Sequence, residues 1–541
     1  MLLKNIKLQN ISKWNSKKTK QATILFRGHA LKKKNDIILN ELSLIKNKKS
    51  FAEYANKLDG NFAIIIAKGK FIYAATDRIR SFPLLYYKRG NAFFISDNYR
   101  ELKKLSINQS VDKKQIFLFS LSGYTLSNNT IFKFVKQIPT GTVLTFNRKE
   151  ISFTKYYDWS IKIDKKRKDY KTKLKQVNEK VINNLIKSCN NRPIVVPLSA
   201  GFDSRFIISG LKEYGYKKLI TFSYGRISNR EAKVAKKISD KLKVPWYFIP
   251  YTNSKLNKEI QTKEFSRYLD YSDNLTSIHF PQDYYAIKQL KKNKLIPKDS
   301  IIVNGQTGDF ISGNHIPKMN FKSKKIVNNI INYYVYKHHN LWHNYYFQKQ
   351  PILEKIIHEI FSDSAKLFKN NNLLYRFYEM LEFQNRQVKY VINGQRLYDF
   401  FDYDWRLPMW DKAYLDFWMS APLKYKINQN LYKHILQKTN WGNVWKDIPI
   451  NPKPSFSVSI SLIRFIFKVF FASLGKKKWH NFENKYLSYF TDPLCGFAEW
   501  KYFNIIRDKK GFRNSLSWQT NSYLKKKNIN WEQIVRNFEL D

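Results

Sequence analysis

The stretch Pro193-Ile-Val-Val-Pro-Leu-Ser-Ala-Gly-Phe-Asp-Ser-Arg205 constrains the fold more than any other part of the chain. The β-branched apolar run from Ile194 to Leu198 predicts a buried strand. The turn Ser199-Ala-Gly-Phe-Asp-Ser204 then opens an amphipathic segment carrying Phe206, Ile207, Ile208 and Leu211. Strand, tight turn and helix in that order set the small residues Ser199, Ala200 and Gly201 beside the positive end of a helix, where backbone N–H groups hold an anion. The Gly-Lys-Ser/Thr ending of a Walker loop is absent, which argues against γ-phosphoryl transfer and for a loop that holds pyrophosphate. Asp203 adds a carboxylate beside that anion, and the two are compatible when Mg²⁺ bridges them. The competing reading leaves Asp203 and Ser204 as helix caps.

A chain of 541 residues allows about two to four domains, and its 43% apolar and 16% aromatic content is that of a folded protein. Two cysteines, Cys189 and Cys495, make neither a disulfide framework nor a metal cluster, which predicts a reducing, cytoplasmic setting. No secretory leader and no run long enough to span a membrane is expected. The net charge of +55 suits a polyanion. The lysines, however, are dispersed among Asn and Ile along the whole chain, so no specific nucleic-acid partner is expected. Anionic lipid or acidic glycan stays open.

Residues 24–159 alternate short apolar runs with turns, the pattern of a hairpin-rich sheet. A charged stretch over 161–172 predicts a linker, and Leu174, Val177, Val181 and Leu185 mark one face of a helix. Leu219 to Tyr224, ending at Gly225, predicts a second parallel strand. Arg230 to Leu242 predicts its helix, and Trp246 to Ile249 a third strand. Ile301-Ile-Val-Asn-Gly-Gln-Thr-Gly-Asp-Phe-Ile-Ser-Gly313 is another strand entering a Gly-rich loop. Strands alternating with helices predict a parallel sheet, with its ligand at the carboxyl ends of the strands.

Ser199 to Ser204 resembles the Ser-Gly-Gly-x-Asp-Ser pyrophosphate loop of the asparagine synthetase family, whose members form an acyl-adenylate that an amine then attacks. The resemblance extends along the chain in order. Leu58-Asp-Gly-Asn-Phe-Ala63, Asp77-Arg-Ile-Arg-Ser-Phe-Pro-Leu-Leu-Tyr86, Ile138-Pro-Thr-Gly-Thr-Val-Leu144 and Tyr156-Tyr-Asp-Trp159 are similar to segments of its glutaminase domain. Asn304 to Gly313 is similar to its Ser-Gly-Glu-Gly-x-Asp-Glu loop, Asp404-Trp-Arg-Leu-Pro-Met-Trp-Asp411 to its Glu-x-Arg-x-Pro-Phe-Leu-Asp, and Asn451-Pro-Lys-Pro-Ser-Phe456 to its Arg-x-Lys-x-x-Phe.

The resemblance implies an α/β protein in three parts. Residues 1–160 would form an α+β glutaminase-like (Ntn-type) sandwich and 161–172 the linker. Residues 173–541 would form an ATP-pyrophosphatase-type synthetase domain, mainly helical over 325–400 and 455–541. It also implies ATP held by Leu198, Ser199, Gly201, Asp203, Ser204, Ser223, Gly225, Gly305 and Gln306. Mg²⁺ would sit on Asp203 and Asp309, with Lys453, Asp404 and Arg406 in catalytic roles.

Departures from the family pattern carry as much information. No cysteine precedes Cys189, so the thiol nucleophile of a glutaminase is missing and glutamine hydrolysis should be lost. Phe26-Arg-Gly-His29 stands where that domain would build its oxyanion hole, and His29 reads as a structural or surface histidine. Gln306 and Phe310 replace two glutamates. An amide cannot take the proton a carboxylate can, which changes the acceptor pocket.

The expected activity is therefore an ATP-dependent amide ligase joining a small-molecule or glycan carboxylate to ammonia or an amine, in surface-polysaccharide or specialised-metabolite assembly. An intramolecular cyclase of the β-lactam or lasso-peptide type and a non-catalytic docking protein remain as alternatives. The apolar run Phe456 to Leu474, with Arg464, Lys468 and Lys476 to Lys478, suits either a packed helix or peripheral contact with the inner face of a membrane; a homodimer is also compatible with the sequence.

Overall fold

The computed structural model describes residues 2–159, 169–227, 229–370, 373–452, 456–497 and 501–540. Period-two alternation sorts the first domain into two layers. Phe62, Ile64 and Ile66 pack with Ile38, Leu42 and Phe51 from helices Asn35–Ser43 and Lys48–Lys57. Ala63 and Ile65, from the same strand, join the core that holds Leu85, Phe93 and Ile95. The strands follow suit. Ile151–Lys155, Thr142–Phe146, Phe71–Thr76, Gly60–Lys68, Ala22–Ala30 and Asn15–Lys18 form a six-stranded antiparallel sheet in that order. Ile6–Lys7, Ala92–Ser96, Leu85–Arg89 and Val135–Gln137 form the four-stranded sheet. This is the α+β sandwich expected.

The second domain opens on helix α1 (Tyr170–Cys189), which buries Leu174, Val177, Val181 and Leu185 on one stripe and ends where Asn190 takes a left-handed φ of 48°. The helix thus begins inside the stretch read as linker, and residues 160–168 lie outside the described residues. Five parallel strands follow: β1 (Ile194–Pro197), β2 (Leu219–Gly225), β3 (Trp246–Pro250), β4 (Ile301–Val303) and β5 (Asp404–Arg406). Their order is β3-β2-β1-β4-β5. Helix α2 (Phe202–Glu213) connects β1 to β2, and α3 (Arg230–Leu242) connects β2 to β3. The winding direction reverses between β1 and β4, and a ligand crevice opens beyond the carboxyl ends of the strands at such a reversal. Both loops singled out in the sequence leave the sheet there.

Helices dominate the remainder, including Ile326–His338, His343–Asn370, Leu374–Glu382, Asn430–Thr439 and Val458–Ala472. No helix among the described residues is long and apolar enough to cross a membrane.

One buried group makes the fold sensitive to acid. His339 is fully buried, neither ring nitrogen has a hydrogen-bond partner, and burial pushes its pKa down to about 3. The ring is neutral in the folded chain. As pH falls below the unfolded value near 6.5, the unfolded chain binds a proton that the folded one refuses, and stability is lost. By pH 4 the loss reaches about 3 kcal/mol. We predict that His339→Phe, placed among Tyr124 and Tyr334, flattens the fall of the thermal midpoint between pH 7 and 4. A slope identical to that of the unaltered protein would assign the acid sensitivity to other groups.

Candidate active site

The site is built on the two loops at the β1/β4 crevice. In the first, the Ser199 N–H donates to Ser204 Oγ at 3.0 Å, the two hydroxyls lie 3.1 Å apart, and the Gly201 N–H donates to Ser199 Oγ at 3.2 Å. The turn is closed on itself, which leaves the first turn of α2 facing the crevice. Gly201 is the N-cap and receives no side-chain cap. Asp203 and Ser204 therefore do not cap the helix: Ser204 braces the loop, and Asp203 points elsewhere.

Asp203 meets the second loop. Its Oδ2 accepts the Asp309 N–H at 2.9 Å and its Oδ1 accepts the Tyr432 hydroxyl at 3.0 Å. Burial and the neighbouring Asp309 carboxylate push its pKa up to about 7. The two loops also touch through glycines. A Cβ on Gly305 would lie 2.9 Å from the Ser204 nitrogen, and one on Gly308 would lie 2.5 Å from Asp203 Oδ1 and 2.4 Å from Met409 Cε. We predict that Gly308→Ala forces the loops apart. Met409 can give way at its flexible end but Asp203, held by two hydrogen bonds, cannot, so the fold should lose about 1–3 kcal/mol while activity drops far more than that. Equal activity in the alanine variant would show that the loop contact is dispensable.

Asp309 is held in turn. Its Oδ1 accepts the Phe310 N–H at 2.7 Å, and His315 Nε2 lies 3.1 Å from Oδ2. Burial disfavours the charge on Asp309, but the bond to His315 outweighs it and keeps the carboxyl below its ordinary range. His315 Nδ1 bonds Glu382. Although burial opposes its charge, Glu382 and Asp309 push the imidazole up to about 9, so it is a cation at neutral pH. Glu382 is fully buried, accepts from Gln387 Nε2 at 3.0 Å and from the Tyr378 hydroxyl at 3.1 Å, and lies within 4 Å of Lys337, His338 and Arg386. Burial works against its charge, yet His315 and His338 hold it well below the ordinary range.

The other sequence-predicted residues divide by position. Leu198 and Ser223 are joined backbone to side chain, Ser223 Oγ donating to the Leu198 carbonyl at 2.7 Å while accepting from Trp246 Nε1 at 3.0 Å, so the hydroxyl is spent on packing. Gly225 has φ +132° at the end of β2, where a Cβ would meet Asn229 Nδ2 at 2.9 Å. Gln306 Oε1 accepts from Gln395 Nε2 at 3.0 Å. Phe310 is buried against Trp159, Trp410 and His315, an apolar replacement that belongs to the core.

Two expected catalytic residues are not brought to the loops. Asp404 pairs in register with Ile301, at the opposite end of the sheet, and is ion-paired to Arg192. Arg406 ends β5, but its guanidinium turns back to the Ser188 hydroxyl and carbonyl at 3.3 and 3.1 Å, beside a cleft of about 720 Å³ between the two domains that His29 and Arg27 also line. That cleft holds charged side chains but not the loop pair. His29 is half-buried on the cleft wall, and desolvation together with Arg406 holds it neutral.

Lys453 lies outside the described residues. Its neighbour Asn451 reaches the first loop, its N–H donating to the Ala200 carbonyl at 3.2 Å. Arg205, which the sequence reading left unassigned, clamps the same region: its buried guanidinium donates to the carbonyls of Ala200, Val444, Ile448 and Pro449. Tyr432, His315 and Glu382 were likewise missed. Glu382 carried the one usable signal, an acid within an aromatic, apolar helix, which needs a partner if buried.

The pair Asp203 and Asp309 fits Mg²⁺. Two part-buried carboxylates on facing loops, joined through the Asp309 N–H and one of them with its acidity weakened by burial and by the other, form a negative site that a divalent cation balances. Magnesium takes one or two carboxylates and fills its shell with phosphate oxygens and water. Among the described residues no group of three or more His, Cys, Asp or Glu side chains could hold a metal unaided.

The first domain is thus a two-layer α+β sandwich and the second a parallel sheet whose two glycine-rich loops meet at the reversal of strand order. The family model for asparagine synthase matches residues 187–463, more than half of the chain, and that for a glutamine amidotransferase domain matches residues 14–157. The chain belongs to the asparagine synthase family. Among curated relatives, the Microcin J25-processing protein McjC of Escherichia coli is 24% identical over 215 residues, covering 37% of this chain and 38% of that protein. Asparagine synthetase (glutamine-hydrolyzing) 3 of Bacillus subtilis strain 168 is 25% identical over 187 residues, covering 34% of this chain and 30% of that protein. The match thus spans well under half the length of either relative. Among solved structures, glutamine phosphoribosylpyrophosphate amidotransferase from B. subtilis aligns with 49% of this chain and 76% of that one at 11% identity, with a TM-score of 0.21.

Proposed function

We propose that the protein is an ATP-dependent, AMP-forming amide ligase that works without hydrolysing glutamine. The observation that carries this reading is the contact of Asp203 with Asp309 across the β1/β4 crevice. In the proposed reaction a substrate carboxylate attacks the α-phosphate of ATP, pyrophosphate leaves into the loop of Ser199, Gly201 and Ser204, and ammonia or an amine displaces AMP from the acyl-adenylate. Bound Mg²⁺ would neutralise the charge that builds on the phosphates. The chain's own part is positional. The α2 amino terminus would face the departing anion, Asp203 and Asp309 would hold the cation, Tyr432 and His315 orient those two carboxylates, and Lys453 is assigned to the phosphorus under attack.

The absence of glutaminase activity rests on residues 1–188 holding no cysteine, while Cys189 and Cys495 are both buried. A second reading, an intramolecular cyclase whose amine belongs to the same substrate, is favoured by the likeness to the microcin-processing protein. Pyrophosphate exchange into ATP tests the shared core, because exchange requires adenylation but no amine. We expect exchange with a cognate carboxylate, unaffected by glutamine and without release of glutamate. ATP binding with no exchange across carboxylates, peptides included, would favour a docking protein. Stoichiometric glutamate would overturn the reading of the first domain.

A further inference from the structure

The Val458–Ala472 helix packs one side on neighbouring residues of its own chain and turns a second, wholly apolar side outward. Arg464, Phe467 and Phe471 form the packed side, Phe467 remaining 40% exposed. Arg464 pairs with Glu483 and covers the Phe456 ring at 4.1 Å, Phe467 and Phe471 each meet Phe482 with ring centres 4.8 Å apart, and Phe471 meets Trp479 at 6.1 Å. Leu462, Phe465, Ile466, Val469 and Phe470, spaced as one face of a helix, are 58%, 68%, 52%, 61% and 78% exposed. Val458 at the start of the helix is 87% exposed and Leu474 beyond its end 49%. An unbroken apolar face of this kind marks an interaction surface.

Charge identifies what covers it. No acidic residue stands between Asp447 and Glu483 in the sequence, and Glu483 is taken by Arg464. Lys468 on the helix and Lys476 and Lys478 just past it are exposed. A second copy would bring the same lysines and a net charge of +55 against its like, whereas an anionic lipid surface attracts both. Fifteen residues of helix extend about 22 Å, short of a bilayer core, so the geometry suits a helix lying in the interface with its apolar side down. We propose that this helix docks the protein on anionic lipid membranes by inserting Leu462, Phe465, Ile466, Val469 and Phe470 between headgroups, with the flanking lysines on the phosphates.

Flotation of the full chain with vesicles tests this. The expected result is binding to phosphatidylcholine vesicles containing phosphatidylglycerol and much weaker binding to phosphatidylcholine alone. The double variant Phe465→Ser/Phe470→Ser keeps every charge, so simple electrostatic adhesion of a basic protein would survive in it. We expect its binding to the anionic vesicles to fall at least about tenfold while its thermal midpoint stays unchanged. Failure to bind anionic vesicles overturns the proposal, as does undiminished binding by the double variant. So does a concentration-dependent dimer, seen by light scattering, that the same two substitutions abolish, because the face would then belong to a second copy.

Discussion

Asp203→Asn should remove AMP formation, by at least about a thousandfold, while leaving the protein as stable as before or slightly more so. The two halves of that expectation have one cause. Asp203 is part-buried beside Asp309, and its pKa is pushed up to about 7 by desolvation first and by that neighbouring carboxylate second. The fold therefore prefers this group neutral, and the asparagine amide supplies a neutral group of the same shape whose oxygen still accepts one of the two hydrogen bonds from Tyr432 and the Asp309 N–H. Catalysis needs the opposite state. A neutral amide leaves Asp309 as the only carboxylate of the pair, and the charge accumulating on the phosphates loses half of its protein-held counterion site. The check is a pair of measurements on one preparation: AMP release with saturating substrate, and the thermal midpoint. Unaltered turnover would remove Asp203 from the site. A collapse of the midpoint would make it a structural residue, contrary to the repulsion it suffers in the folded chain.

What the sequence reveals about this protein depends on which physical force fixed each element. Strands β1, β2 and β4 are legible because central parallel strands are buried on both faces and read as β-branched apolar runs, as Ile194 to Val196 and Ile301 to Val303 do. The two loops are legible because close backbone approach demands small residues: Gly305 and Gly308 are glycines since a Cβ on either would collide with the Asp203–Ser204 turn. Asp404 and Arg406 misled for a geometric reason. Motif order places them near the loops, but the register of β5 puts Asp404 opposite the first residue of β4, and the charge is satisfied by Arg192 instead. Ser223 shows the same limit at smaller scale, because a hydroxyl that could face a nucleotide is committed to the Leu198 carbonyl.

Polar networks assembled from distant segments were beyond reach. His315, Glu382 and Tyr432 come from three separate stretches, and nothing local announces that their side chains converge on Asp203 and Asp309. The Val458–Ala472 helix is a related case. Periodicity reveals an apolar stripe but not the side from which the rest of the chain approaches it.

Glu382 is where the largest loss of stability should follow from a single change. Its side chain is fully buried, and its oxygens face His315, which is cationic at neutral pH, together with Lys337, Arg386 and His338. Glu382→Gln keeps the volume and one acceptor but removes the charge that those groups share. Burial holds His338 neutral, and Lys337 and Arg386 keep part of their hydration, so the loss centres on His315; leaving that mostly buried cation without its counter-charge costs up to about 3–5 kcal/mol, where replacing both partners by neutral groups of similar size costs much less. The denaturation midpoint of Glu382→Gln should therefore fall sharply, and adding His315→Gln should restore part of the loss, a coupling that two independent sites would not show. Activity should respond differently. His315 bridges Glu382 to Asp309, so the single variant frees the imidazole from one of its two anchors and disturbs Asp309, whereas the double variant regains stability without regaining the bridge. Recovery of the midpoint with no recovery of AMP release would separate the structural role of the cluster from its service to the metal-binding pair. A Glu382→Gln protein as stable as the original would mean that the surrounding cations find their counter-charge elsewhere, and the electrostatic reading of the cluster would have to be abandoned.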